Sequence, residues 1–304
     1  MIFVSTEIEK KIKKKMHQQA KAVSAAAAAA GFVPARLIKS SRLADGVKRF
    51  DFLIDCNKQA AAAAPSSSSF HFQPGQWVDF FIREIDEMTG YSMISSPLEL
   101  PRLSLVVQLS QENPAAVYVH ETMQVDDVVW MRPGGSVMWD ASSSKDDALM
   151  IAGGIGVTPF ASMLRHAELS SSITTPCSSS SSHCRRAALI HSSRQRVLKD
   201  ELTNIVTESS TQLQYLHKET NGTGDGRIDA FDIESALTFL NEKKEKEQVD
   251  GMIHVHGGNG SGGSSSSSVV PFVCGNSTFV VSMEEMLINH FGYLREDIVV
   301  ERWW

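Results

Sequence analysis

Cysteine is scarce in this chain of 304 residues: Cys56, Cys177, Cys184 and Cys274 are widely spaced and form no CxxC pair. Such spacing argues against a disulfide framework, a thiolate zinc site or an iron–sulfur cluster, and no metal site is expected. A long basic stripe is also missing. The net charge is −6, and the one lysine cluster, Lys10 to Lys15, lies near the start, so no nucleic-acid partner is expected. The uncharged, apolar run Ala148–Leu164 is too short for a membrane span and is broken by Gly153, Gly154, Gly156 and Pro159. It reads as a buried strand, a loop and a helix start, and no membrane span is expected.

What is present suffices for a core, with 42% hydrophobic and 21% charged residues. The distribution is uneven. Low-complexity Ala, Ser and Gly stretches occupy 22–30, 60–69, 171–182 and 257–268. With these and flanking polar segments (including 241–256) set aside, roughly 220 residues remain, enough for two domains. Residues 1–30 form a basic, Ala-rich tail, read either as solvated chain or as a targeting segment. Glu7, Glu9 and the lack of Arg before Arg36 weigh against a typical mitochondrial leader. No signal-peptide apolar core is seen, so an intracellular location, mitochondrial or cytosolic, is expected.

Two patterns divide the remainder. Residues 31–142 read as short β-strands: Val33–Ser40, Val47–Ile54, Trp77–Ile82, Leu103–Leu109 and Val128–Met131, rich in β-branched and aromatic residues. Asp45-Gly46 predicts a hairpin, Gln73-Pro74-Gly75-Gln76 a turn, and Ala115–Gln124 one covering helix. That combination predicts a small antiparallel β-barrel. Residues 146–304 alternate strand and helix: strands at Ala148–Ala152, Ala187–His191, Gln212–His217, Pro271–Cys274 and Ile298–Glu301, with helices at Pro159–Leu169, Leu198–Thr207, Ala230–Leu240 and Ser282–Phe291. Alternation of this kind predicts a Rossmann-like parallel α/β sheet.

The strongest chemical signal is Ile151-Ala152-Gly153-Gly154-Ile155-Gly156-Val157-Thr158-Pro159. It reads as strand, glycine loop and helix start, with Thr158 as N-cap and Pro159 at the first helical position. Glycines at a helix N-terminus let backbone amides approach a phosphate closely. Taken alone, the loop also fits a tight strand-to-helix turn.

Four segments in order make the reading more specific. Phe72-Gln73-Pro74-Gly75-Gln76-Trp77-Val78, Tyr91-Ser92-Met93-Ile94-Ser95-Ser96-Pro97, Gly153–Pro159 and Cys274-Gly275-Asn276 resemble motifs of the ferredoxin–NADP reductase-like flavoprotein superfamily. The resemblance covers about 32–304. It implies an antiparallel Greek-key barrel for FAD followed by a Rossmann-like domain for NAD(P)H. The implied activity is hydride transfer from NAD(P)H to FAD and onward to a separate acceptor, a small molecule or a redox protein, by a monomer.

The resemblance also implies roles. Tyr91 would pack on the isoalloxazine, and Ser92 would hydrogen-bond near flavin N5. Gly153, Gly154, Gly156, Val157, Thr158 and Pro159 would hold the dinucleotide. Ser193 and Arg194 would meet the adenosine ribose or its 2′-phosphate. Cys274 and Gly275 would approach nicotinamide C4, with Glu301, Trp303 and Trp304 near the flavin. Ser92, Cys274 and Glu301 are thus the candidate catalytic residues. The chain departs from the pattern at Thr89, where Arg would bind the flavin phosphate, near Ala116, and at Asn276, where the motif has Pro. These departures keep open a second reading, a nucleotide-binding sensor or assembly factor of the same fold. Asn221–Asp232 superficially resembles a calcium loop but lacks its first Asp and last Glu. His120 and His191 read as packed structural residues.

Overall fold

A computed structural model describes residues 27, 30–55, 70–173, 185–209, 212–220, 226–253 and 268–303, with the backbone alone at 173 and 242–253. The calcium-like loop at 221–225, Trp304 and the serine-rich segment with Cys177 and Cys184 lie outside the described residues.

The first half forms β1 (Val33–Ala44), β2 (Val47–Ile54), β3 (Trp77–Ile82), β4 (Glu87–Ser92), β5 (Arg102–Gln108) and β6 (Val128–Gly134). They pair antiparallel in the order β4-β3-β6-β1-β2-β5. A Met93–Leu105 bridge joins the two edges, closing the sheet into a barrel. Alternation fixes which side chains face inward. Phe50, Phe52 and Ile54 of β2 meet Val78, Phe80 and Ile82 of β3 in the core. Each buried aromatic or aliphatic side chain contributes roughly 1.5–3 kcal/mol of transfer free energy. Helix α1 (Pro114–Glu121) adds Ala115, Ala116 and Val119 to that core. The Asp45-Gly46 hairpin forms as expected, with Gly46 at φ +63°.

The second half forms β7 (Asp147–Gly153), α2 (Thr158–Ile173), β8 (Ala187–Ser193), α3 (Lys199–Glu208), β9 (Leu213–Glu219), α4 (Ala230–Ile253), β10 (Val269–Asn276), α5 (Ser277–Phe291) and β11 (Val299–Trp303). The strands are parallel in the order β11-β10-β7-β8-β9. Ala148, Met150 and Ala152 face one helical layer with Phe160 and Leu164. Leu149 and Ile151 face the other, with Val280 and Leu287. Helices therefore cover both faces. Among the described residues, no helix is long and apolar enough to cross a membrane.

Several expectations needed correction. Strand β4 is absent from the sequence reading because Glu87-Met88-Thr89-Gly90 lacks β-branched alternation; edge pairing with β3 supplies the order. Helix α4 continues through the charged run to Ile253, where low complexity had suggested no element. Helix α5 starts at Ser277 rather than Ser282, because Asn276 caps it: its side chain accepts from the Phe279 amide at 2.9 Å. Thr158 is not an N-cap. A 3₁₀ turn, Gly154–Val157, runs straight into α2, so Thr158 is already helical (φ −59°, ψ −48°) and its hydroxyl donates back to the Ile155 carbonyl at 3.0 Å.

Candidate functional site

Strand order reverses between β7 and β10, and the carboxyl ends of those strands open onto a cleft of about 700 Å³. Ligands of open α/β sheets bind at such a switch point. The wall on the parallel-sheet side, the nucleotide wall of the reading proposed below, consists of Gly153, Gly154, Ile155, Thr158, Ser192, Ser193 and Arg194, with Gly275, Asn276 and Phe279 from the β10–α5 junction. The barrel wall consists of Gly90, Tyr91 and Ser92 from β4, Val106–Ser110, and Asn113 and Ala116 at the start of α1.

The glycine loop has two sites that demand glycine. Gly154 sits at φ +56° beside open space, so its backbone faces the cleft without a side chain. A Cβ at Gly156 would lie 2.4 Å from the Cys274 carbonyl oxygen, so only glycine lets the loop approach β10. His191, fully buried in β8, holds the loop from beneath, with Nε2 2.9 Å from the Gly154 carbonyl. A carbonyl only accepts, so Nε2 carries the proton and Nδ1 accepts from the Tyr215 hydroxyl at 3.3 Å. Burial lowers the His191 pKa to about 4, which keeps the ring neutral. Beside it, Ser193 Oγ donates to the Gln195 carbonyl at 2.6 Å and lies 3.1 Å from His217 Nε2.

At the floor, the domains meet through a buried hydrogen bond. Ser92 Oγ donates to Glu301 Oε1 at 3.0 Å. Register places Glu301 of β11 beside Cys274 of β10. Burial raises the Glu301 pKa to about 7, against the opposing effects of the Ser92 hydroxyl and the Trp303 indole. Burial, then the Glu301 charge, raise the Cys274 thiol well above its ordinary value, so it stays protonated and is no thiolate nucleophile. Trp303 packs edge-on against Trp77 at 6.1 Å and lies over Gly90. Burial also raises the Tyr91 pKa, and its buried hydroxyl has no partner among the described residues.

Further contacts fix the two domains against each other. Ser162 Oγ donates to the Ser95 carbonyl at 2.7 Å, and Ser96 Oγ lies 2.9 Å from His166 Nδ1. Arg165 of α2 pairs with Glu99 at 2.7 Å and with Glu201, which also pairs with Arg49 at 3.1 Å.

Of the residues expected at the site, Tyr91, Ser92, Gly153, Gly154, Thr158, Ser193, Arg194, Gly275 and Trp303 line the cleft. Gly156, Val157, Cys274 and Glu301 are placed behind the wall: Val157 and Cys274 are buried, and Gly156 abuts the β10 backbone. Pro159 lies within α2, and Thr89 sits on β4 on the same face as Tyr91; neither lines the cleft. Sequence reasoning missed Asn113, Phe279 and the role of His191. Asn113-Pro114 carried a helix-start signal, whereas nothing local marked His191 as a support for a loop 37 residues away.

Comparison with known proteins agrees with this architecture. Against solved structures, the chain superimposes on flavohemoglobin from Malassezia yamatoensis, determined with bound FAD and heme, with a TM-score of 0.61 and 17% identity, covering 90% of this chain and 60% of that one. Ferredoxin-NADP+ reductase from Plasmodium falciparum gives 0.58 and 11%, covering 90% and 96%. The chain has the ferredoxin–NADP reductase-like fold. In sequence, 121 residues are 37% identical to human oxidoreductase NAD-binding domain-containing protein 1, 36% of this chain and 39% of that protein. The matched stretch thus spans well under half the length of that relative. No family model matches the chain.

Residues of this site fit a flavin ring and a nicotinamide dinucleotide. Tyr91 lines the ring end, and the Ser92–Glu301 pair presents a polar group there. The open, left-handed Gly154 and exposed Arg194 present an anion-compatible surface at the other.

Proposed function

We propose that the protein is an NAD(P)H-dependent flavin oxidoreductase that passes electrons to a separate acceptor, with FAD as the flavin its fold relatives suggest. The observation that carries this reading is the Ser92–Glu301 hydrogen bond, which ties the flavin-side strand to the nucleotide-side sheet at the floor of one cleft. When bound, the cofactors supply a hydride donor at nicotinamide C4 and an acceptor at flavin N5.

The chain supplies alignment and proton control. Gly153 and Gly154 leave room for the dinucleotide, and His191 fixes the loop through the Gly154 carbonyl. Phe279 closes that end: a Cβ at Gly153 or Gly275 would lie 2.7 Å from its ring. Cys274, neutral and buried, keeps the β10 end apolar and free of charge. Glu301, with a pKa near 7, holds a proton near neutrality, and Ser92 Oγ connects it to the cleft by one hydrogen bond. A hydroxyl can both donate and accept, so the pair can move a proton between Glu301 and the cleft wall.

The test is steady-state oxidation of NADH and NADPH by the purified full chain with added flavin and an artificial acceptor. Turnover with either nucleotide supports the reading. Tight nucleotide binding without turnover would replace it by a nucleotide sensor or assembly factor, which an uncharged barrel wall, with Thr89 where the resembled motif has Arg, favours.

A further inference from the structure

The two walls of the cleft differ in charge. Among the described residues that line it, Arg194 alone is charged, and it belongs to the nucleotide wall. The barrel wall offers Gln108, Leu109, Ser110 and Asn113, all neutral. Cations of the neighbouring strand β2 are engaged elsewhere: Lys48 Nζ donates to the His120 carbonyl at 2.7 Å, and Arg49 pairs with Asp51 at 2.8 Å and Glu201 at 3.1 Å.

A helix N-terminus could compensate, since its free amides bind phosphate. Here α1 points its start at the cleft, yet each amide of the first turn is accounted for. Pro114 has none. The Ala115 and Ala116 amides donate to Asn113 Oδ1 at 3.0 and 3.1 Å, and the Val117 amide donates to the Asn113 carbonyl at 3.1 Å. The helix caps itself. A dianionic pyrophosphate at the start of α1 would meet no cation of the barrel wall and no free amide of the helix's first turn, so its lost hydration is not replaced there.

We propose that this cleft recognises flavin by its isoalloxazine ring alone, so that riboflavin, FMN and FAD bind alike and exchange freely. This rests on the flavin reading above and specifies the ligand of that same site. The ring end is built for such recognition, with Tyr91 and Ser92 lining it, Ser92 held by Glu301 and Trp303 over Gly90.

Equilibrium titration of the full chain with riboflavin, FMN and FAD, followed by flavin fluorescence, tests the proposal. Dissociation constants within about threefold of one another are expected, with FAD removed by gel filtration. FAD bound more than about tenfold tighter than riboflavin would overturn it while leaving the flavin reading intact. Binding of NAD(P)H but of no flavin would overturn both. A second arm adds the missing phosphate partners with Thr89→Arg and Asn113→Gly, glycine being a tolerated N-cap. The double variant should tighten FMN and FAD about tenfold while riboflavin is unchanged; an unaltered FAD-to-riboflavin ratio counts against the proposal.

Discussion

Ser92 Oγ and Glu301 Oε1 are 3.0 Å apart although 209 residues separate them in sequence, and their bond crosses from barrel to parallel sheet. Glu301 is 6% exposed, and burial raises its pKa from 4.5 to about 7. Between those values the native state keeps a proton that the unfolded chain releases, so stability falls as pH rises through the window. The loss is on the order of 3 kcal/mol once Glu301 is ionised. Glu301→Gln retains an acceptor for Ser92 and never ionises. Urea midpoints should therefore match wild type near the low end of the window and exceed it at about pH 8. An equal offset at both pH values would show that Glu301 ionisation is not the cause.

His191 gives the opposite slope. Its pKa falls from 6.5 to about 4 in the fold, so it is neutral in the native state where the unfolded ring is already protonated. Stability is fully present above about pH 6.5 and declines by on the order of 3 kcal/mol as pH falls toward 4. His191→Phe abolishes that decline but leaves the Gly154 carbonyl without its donor. The nucleotide KM should rise about tenfold with a smaller change in kcat, because a positioning contact is lost. His191→Gln, which keeps an N–H donor, should recover part of the KM effect; no recovery would point to packing alone.

The outline of the fold was legible because its signals are local. Runs rich in β-branched and aromatic residues, bounded by turn residues, marked five of the six barrel strands, and the change to strand–helix alternation after Asp147 marked the sheet. Strand β4 was illegible, since Thr89-Gly90 carries no strand preference and is ordered by β3. The Gly153–Gly156 loop was legible for the same local reason that makes it work, a steric demand at φ +56° and at the Cys274 carbonyl. Interactions between distant segments were not. Nothing near Ser92 announces Glu301 as its acceptor, and nothing near His191 announces Gly154. The helix after the fifth strand was legible, but its start at Asn113-Pro114 was not, and only the geometry shows that the Asn113 side chain occupies two amides.

Gly156→Ala probes the close approach of loop and strand. The added Cβ would sit 2.4 Å from the Cys274 carbonyl oxygen and 2.8 Å from the Gly275 amide nitrogen, both backbone atoms that cannot rotate away. Loop or strand must shift, at a cost of about 1–3 kcal/mol in stability. Displacement of Gly154 should weaken NAD(P)H binding more than tenfold by isothermal titration. Gly154→Ala is a useful contrast, because a Cβ there meets no atom within 4 Å and suffers only the φ +56° penalty, on the order of 1 kcal/mol. Equal binding losses in the two variants would remove the steric explanation.

Arg165 links Glu99 next to the barrel with Glu201 on α3, and Glu201 in turn holds Arg49 of β2. These side chains are 23–30% exposed, so their pairing is screened only in part. Arg165→Met keeps the aliphatic stem but leaves two carboxylates near each other without their shared cation. Destabilisation of roughly 1–3 kcal/mol is expected at low salt, with part of it recovered at high salt as repulsion is screened. Because the network joins the two halves, the variant should open the Ser92–Glu301 contact more often. Hydrogen exchange should then accelerate at the β4 and β11 amides before it does in the barrel core. Uniform acceleration across both sheets would indicate a loss of global stability and no hinge at Arg165.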